Sequence, residues 1–595
     1  MKIKFLIIVF FSTILSFSQN TAPSFKEVVT EFYNQYDVRS TVESNYVQFE
    51  KRDSGWNVVT ISPTLKDTLN EVFWDNSKES YKTINFPPKL KQKDEEVAIA
   101  SFINNASFKR FDSLLYYGYV GWEKDLIAFY ESKNGLNEIE IYQLGYAYSN
   151  YANGLLNDNF GFSDKKVKFN LPIFSNSMTN EQLQTYLFWE NKSIEAYLKL
   201  FKINPNFETI PGQIGIKYYN EIASNFLNLR IYQNEEIALA QLKDKDLYSN
   251  NYREYAKNIL DSCEKDGILF TMGDNDTFPL LVYQAQNNYR TDVLIVNTTL
   301  LQVPHYINAM MNKVLDSDGI KLSVNSDFIK DNLNEAFVFT KRNKDFISID
   351  NLSLIVLDPS NLYKTHTNSY RSIPSNNFKF NKNKSILNWS IDGHVMYRKT
   401  LMALDVIGKN NWKRPIYFAI NGSIDSYLGL SKYLQLEGLV YKLVSTEGKI
   451  TDDEIGFVNP SKLEHNMKTM YQFKDKFNLS IEERQLGMDY RLIYNRLANY
   501  YIEQNDYKKA QFILDDCIKL YPNDLASYSF DLISILESYY KLKSFKKAKV
   551  LENQLLQNLN NGFDNYIFLT SDEKEARHGR TKNTLQRLKE IYGVK

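Results

Sequence analysis

Cysteine is nearly absent from this chain. Its 595 residues contain two, Cys263 and Cys517, so a disulfide-stapled scaffold is excluded and at most one bridge could form. Each falls in a stretch with the pattern of a packed helix, so both read as buried free thiols. Histidine is also scarce. His305, His366, His394, His465 and His578 are widely scattered, and neither CxxC nor HExxH occurs. A zinc site is therefore unsupported. No sign of charge is in excess: Lys plus Arg total 71, and Asp plus Glu total 71. That balance argues against nucleic acid as a main partner, because phosphate binding needs a basic excess or a basic face. Beyond the N-terminus, no apolar run approaches the roughly 20 residues that a membrane-spanning helix needs.

The N-terminus reads MKIKFLIIVFFSTILSFSQN. Lys2 and Lys4 precede an apolar stretch from Phe5 to Phe17, and Ser16 and Ser18 place small residues at the end of it. This is the pattern of a secretory signal peptide, residues 1–18, cut near Ser18. The stretch is too short to span a bilayer, and no cysteine near the cut offers a lipid anchor. The mature chain is expected to be soluble in the periplasm, with a peripheral place at the outer membrane open to it.

What is present is aromatic: 42 Tyr and 38 Phe. Tyr can stack on sugars, but it also fills helical repeats, and the repeats below favour packing. Residues 19–95 read as a small β-rich module. YVQFEKRDSGWNVVTI alternates apolar and polar residues on both sides of Asp53-Ser54-Gly55, a hairpin signal, and Pro87-Pro88 closes the module. Residues 96–250 read as helical and repeat-like, with Ile141, Leu144, Gly145 and Tyr148 on one helical face. Residues 451–485 read as a linker. Residues 486–595 read as tetratricopeptide repeats. Tyr494, Leu497, Ala498, Tyr501, Ala510, Leu514, Cys517 and Pro522 follow the repeat's order, and Tyr539 and Ala548 continue it in a second unit. Such repeats stack helix pairs into a concave surface that usually binds peptide or protein.

Residues 251–450 have another rhythm. Candidate strands at 268–272, 293–296, 354–357 and 416–420 alternate with helical stretches. The first two flank PLLVYQAQ and form a βαβ unit, hence a parallel pair. The fold class is thus mixed and multi-domain, around a central α/β domain with a largely parallel sheet.

The densest polar patch is GDNDTFP, residues 273–279. In open α/β sheets ligands bind beyond the carboxyl ends of the strands. Asp274, Asn275, Asp276 and Thr277 should stand there, joined by Asn297, Asp358, Asn421, Ser423 and Tyr427 from other strand ends. Three chemistries compete. Asp274 and Asp276 could hold a divalent metal through hard oxygens. The acids and amides could bind sugar hydroxyls. Or they tie a turn to the start of a helix, with Gly273 giving the sharp exit, Thr277 the cap and Pro279 the first turn. No Ser or Cys has a His nearby in sequence, so a nucleophile–base pair is not evident. A second patch, NNWKRPIYF at 410–418, has Trp412 placed to pack under the sheet. Gly408 reads as the cap of the helix before it. Lys413 and Arg414 precede their strand, so a parallel sheet sets them opposite the strand-end crevice.

Both patches carry a resemblance. ILFTMGDNDTFPLLVYQ, IPSNNFKF (373–380), LMALDVIGKNNWKRPIYFAI (401–420) and SYLGLSKYLQLEGLVYKLV (426–444) resemble the soluble C-terminal region of a bacterial family of multi-spanning membrane proteins. That family is related to protein O-mannosyltransferases. The resemblance runs over about 250–560 and includes Gly273, Trp412, Arg414 and Gln435 beside the site candidates. It implies a soluble envelope domain that accompanies glycan or glycoprotein chemistry. Transferase activity is not implied, since this chain lacks the membrane half.

Three functions follow as expectations. The first is an exported envelope scaffold that holds a protein partner through its repeats and a glycan or glycoprotein in the crevice, without a cofactor. The second is a periplasmic glycan-active enzyme with a divalent metal at Asp274 and Asp276. The third is a subunit of an outer-membrane assembly or secretion complex.

Overall fold

The computed structural model describes residues 22–36, 46–61, 69–86, 88, 119–156, 167–174, 177–209, 211–340, 344–364, 369–382, 385–450, 454–469, 479–562 and 571–594. The expected signal peptide, Pro87, His366 and parts of the expected linker lie outside them. The chain divides into two compact units, with the main boundary after Asp125.

In the first unit, helix α1 (Phe25–Gln35) starts at Ser24 through a capping box. The Ser24 hydroxyl accepts from Glu27 N at 3.4 Å, and the Glu27 carboxylate accepts from Ser24 N at 2.7 Å. Strands β1 (Tyr46–Arg52) and β2 (Gly55–Ile61) form the expected hairpin. Gly55 is required there. Its φ is +134°, and a Cβ would lie 1.8 Å from the Trp74 carbonyl oxygen. Strands β3 (Asn70–Asp75) and β4 (Ser80–Tyr81) continue the antiparallel sheet, and short β5 (Tyr119–Val120) joins β1 in parallel. Phe32, Phe49, Phe73 and Trp56 fill the space between helix and sheet.

Helix α2 (Trp122–Glu131) leads to the second unit, which opens as a helical layer. Helices α3 (Glu138–Leu156), α4 (Asn180–Ile203) and α5 (Ile214–Tyr232) pack in sequence, with a small ribbon of β6 (Glu208–Thr209) and β7 (Gly212–Gln213) before α5. Gly145 allows the α3–α4 approach, since a Cβ there would sit 2.8 Å from the Tyr197 ring. Helices α6 (Glu235–Ala240) and α7 (Asn250–Asp261) follow.

The α/β region begins with β8 (Ile268–Thr271), α8 (Asp274–Asn287) and β9 (Leu294–Asn297), the expected parallel βαβ unit. Helices α9 (Pro304–Met311) and α10 (Ser326–Lys330) lead to a second sheet system. It holds β10 (Ala336–Phe339), β11 (Ile347–Ser348), helix α11 (Leu352–Leu357), β12 (Leu362–Lys364), β13 (Ser369–Ile373), β14 (Asn377–Lys382), β15 (Ser385–Ser390) and β16 (Val395–Tyr397). Helix α12 (Arg398–Asn410) returns the chain to β17 (Ile416–Ala419). Strands β18 (Leu434–Leu436), β19 (Val440–Leu443) and β20 (Phe457–Val458) complete the main sheet. Its order is β20-β18-β19-β17-β8-β9. Every residue of β8, β9 and β17 is buried, which explains their unbroken apolar runs.

Three of the five pairings in the main sheet are parallel, as expected, and β19 runs antiparallel to both β17 and β18. The structure corrects three expectations. Residues 354–357 belong to helix α11: Leu352 and Val356 are buried, while Leu354 is 68% exposed, an i, i+4 pattern that an all-apolar run conceals. Helix α12 continues past Gly408 to Asn410, and Asn411 takes the left-handed cap conformation at φ 47°. Trp412 packs against Phe380 of β14, ring centroids 5.6 Å apart, not under the main sheet.

The chain closes with α13 (Pro460–Thr469), then α14 (Ile481–Glu503) paired with α15 (Tyr507–Leu520), α16 (Leu532–Lys541) paired with α17 (Phe545–Asn560), and α18 (Ser571–Ile591). Tyr494, Leu497, Ala498, Ala510, Leu514, Cys517, Tyr539 and Ala548 are all buried at these contacts. Both cysteines are free and buried, and burial pushes both thiols up, Cys517 to about 12.

Candidate functional site

Strand β8 delivers the GDNDTFP stretch to the carboxyl end of the main sheet. Helix α8 starts at Asp274, four residues earlier than a Thr277 cap would place it, with Gly273 as the capping residue. Gly273 is extended, at φ −104° and ψ 176°, so the sharp exit needs no left-handed backbone. Pro279 lies inside the helix instead of in its first turn.

Each residue of the motif has a distinct environment. Asp276 is 6% exposed and turns back onto the strand end. Its Oδ2 accepts from Met272 N at 2.9 Å and its Oδ1 from Gly273 N at 2.6 Å. Burial is the larger effect and pushes the carboxyl up to about 6, against the lowering by these amides. Asn275 faces the helical layer: its Nδ2 donates to the Pro211 carbonyl at 2.8 Å, and its Oδ1 accepts from Asn220 Nδ2 at 2.9 Å. The Thr277 hydroxyl is 2.8 Å from Thr271 Oγ1 and accepts from Asn297 Nδ2 at 3.0 Å. Asn297 spends its carbonyl on Thr299 N and Leu300 N.

Asp274 is the most exposed of the four, and its carboxylate makes no hydrogen bond among the described residues. Crowding by protein on its other sides raises its pKa and Glu221 adds to the rise, while Lys217 opposes it. Behind it, Lys217 Nζ and Glu221 Oε2 are 2.6 Å apart on α5, and Ser193 Oγ donates to Glu221 Oε1 at 2.9 Å. Glu190 lies 1% exposed nearby. Burial, then the Glu221 charge, hold it well above the usual carboxylate range.

Of the remaining candidates, Tyr427 is 1% exposed and donates its hydroxyl to the Ala419 and Ile420 carbonyls at 3.1 and 2.9 Å. Ser423 and Asn421 are exposed on the loop after β17, and Ser423 Oγ lies 3.1 Å from Ser426 Oγ. Asp358 does not belong to the group. It follows helix α11 rather than a strand, is exposed, and accepts from Ser360 N at 2.8 Å as the cap of the next turn. Asp276 and Tyr427 do line one crevice, with Met272, Thr298, Gly422 and Ser426 along its rim. Its free volume is about 10 Å³, room for about one water.

Asp489 was missed from sequence. It lies on α14, accepts from the Tyr255 hydroxyl at 2.6 Å, and is pushed up to about 6 by burial and by the Asp276 carboxylate. The available signal was an acid on an apolar helical face: Leu486, Tyr490 and Ile493, spaced around it, are all buried. The Asp276 charge thus adds to the Asp489 rise, while burial is the main cause of the rise at Asp276. Among the described residues, no three His, Cys, Asp or Glu side chains are grouped to hold a metal ion.

Arg414 stands at the opposite end of the sheet, as the β8–β17 parallel pairing requires. Its guanidinium donates to the Asp266 carbonyl at 2.7 Å, the Asp318 carbonyl at 2.6 Å and Ser317 Oγ at 2.8 Å. It is a structural clamp on the strand starts.

Comparison with known proteins adds one finding. A search of curated proteins and a search of solved structures gave no match. Residues 252–462, roughly a third of the chain, match the family described as TMEM260-associated domain 2, a stretch that contains the main sheet and the strand-end motif and stops before the C-terminal helix pairs.

Proposed function

We propose that this chain is an exported, non-catalytic scaffold of the bacterial envelope that holds a protein partner and accompanies glycan or glycoprotein chemistry. TMEM260 is a multi-span protein O-mannosyltransferase, and the matched domain takes its name from it. The stretch matched is the associated domain, residues 252–462, and no helix among the described residues is long and apolar enough to cross a membrane.

One observation carries the reading: apart from Asp274, the polar side chains of GDNDTFP are used up in architecture. Asp276 holds two backbone amides, Asn275 ties the sheet to α5, and Thr277 with Asn297 closes β8 against β9. A sugar ring in the adjacent crevice would require Met272 and the loop after β17 to part, so the partner contact comes first and the glycan rides on the partner. The C-terminal helix pairs support a protein partner, because Tyr507, Phe512, Phe545 and Val550 expose large apolar surface there.

A glycan-active enzyme remains the second reading, and Asp276 and Asp489 are its support, since raised carboxyls suit acid–base work. Affinity purification from native membranes, with mass spectrometry of proteins and attached glycans, tests the proposal. The expected result is an envelope protein, glycosylated or part of an assembly or secretion complex, that is lost on Phe512→Asp with Val550→Asp. Capture that is unchanged by that variant, or capture of free oligosaccharide without protein, would overturn it.

A further inference from the structure

A cavity in the N-terminal module is far larger than the strand-end crevice. It is an open groove of about 500 Å³ between α1 and the β3–β4 hairpin, lined by Pro23, Glu27, Thr30, Glu31, Trp74 and Tyr81. That size falls within the range of ordinary ligand sites, about 300–1,000 Å³. The walls have two chemistries. Trp74 and Tyr81 form an aromatic side, ring centroids 4.9 Å apart at 66°. Glu27 and Glu31 sit one turn apart on α1 and so face the same way.

The charge in this groove is not compensated internally. Glu27 bonds to Ser24, and Glu31 accepts from Gln35 Nε2 at 2.7 Å, but neither carboxylate has a Lys or Arg partner among the described residues. Lys82 is engaged elsewhere, 2.5 Å from Asp75. The Tyr81 hydroxyl makes no hydrogen bond among the described residues. Burial foremost, then the Glu31 and Glu27 charges, push it up to about 12, and both acids line the same groove as the ring. Aromatic faces beside unpaired carboxylates attract a cation twice over, through the ring quadrupole and through charge.

We propose that this groove binds an extended peptide through a lysine or arginine side chain, held over Trp74 and Tyr81 and neutralised by Glu27 and Glu31. A neutral sugar would use the rings but leave two like charges facing each other. An acidic glycan would be repelled.

The test uses the full chain and two fluorescein-labelled decapeptides of alternating Lys and Gly, one unmodified and one with every lysine acetylated. The unmodified peptide is expected to bind, more weakly as salt rises, and the acetylated one at least about tenfold more weakly. Glu31→Gln should weaken binding of the unmodified peptide by about threefold or more with an unchanged thermal melt, and Trp74→Leu should weaken it further. Equal binding of the two peptides, absence of binding by both, or indifference to Glu31→Gln would overturn the proposal. So would Trp74-dependent binding of a neutral oligosaccharide in place of the peptide.

Discussion

Asn220 Nδ2 donates to Asn275 Oδ1 at 2.9 Å and so joins helix α5 to the first turn of α8. The join is braced on both sides. Tyr248 Oη donates to Asn220 Oδ1 at 2.8 Å, and Asn275 Nδ2 reaches the Pro211 carbonyl at 2.8 Å. Asn275→Ala removes both bonds of Asn275 and strands the amide of Asn220, itself 3% exposed. The expected loss is about 1–3 kcal/mol, read as a lower urea midpoint at unchanged slope. Asn275→Asp should fare no better, because a carboxylate would face the Pro211 carbonyl.

Gly273→Ala should be tolerated within about 0.5–1 kcal/mol. The backbone there is extended, and a Cβ would meet only Asp276 Oδ1, at 3.4 Å. Gly429→Ala gives the contrast. Gly429 has φ +75°, and a Cβ would lie 2.2 Å from the Ser390 carbonyl oxygen, so this variant should cost several-fold more. Thermal melts of the two variants side by side decide the matter.

These two glycines also show what could be read in advance. The hairpin at Gly55, strands β8, β9 and β17, and the helix pairs around Cys517 were legible, because each depends on a short-range period or a turn residue. The α8 start was not. A capping box made by Asp276 needs no side chain at Gly273, so the usual Ser or Thr signal pointed to Thr277. Helix α11 was hidden because LIVL, residues 354–357, is apolar throughout, and only the exposure of Leu354 reveals its period. Asp358 was misplaced along with it. The partners of the motif, Asn220 and Pro211 on one side and Asp489 on the other, lie from 55 to over 200 residues away, beyond any local pattern.

The Asp489 carboxyl gives a pH signature. Its folded value is raised from 3.8 to about 6, so the native state keeps a proton that the unfolded chain has lost. Stability from this group is highest below about pH 4 and falls as pH climbs through 6. Asp489→Asn removes that titration and can still accept from Tyr255. The variant should match wild type near pH 4 and exceed it by about 1–3 kcal/mol at pH 7.5. Urea unfolding at both pH values checks this, and a variant weaker at pH 7.5 would refute the assignment.

The helix pair α14–α15 sets a packing limit. Ala510 and Cys517 are both fully buried on α15. Cys517→Ala loses one small group, at about 1 kcal/mol. Ala510→Trp overfills the contact and should cost about 3 kcal/mol or more. Equal melting temperatures would mean that these residues do not face the neighbouring helix.

The central claim is that GDNDTFP is a joint between the sheet and the helical layer. Hydrogen exchange of wild type and Asn275→Ala, followed peptide by peptide, tests it most directly. The account predicts faster exchange in residues 211–232 and at the start of α8, with β18, β19 and the C-terminal helices unchanged. Unchanged exchange in 211–232 would contradict it.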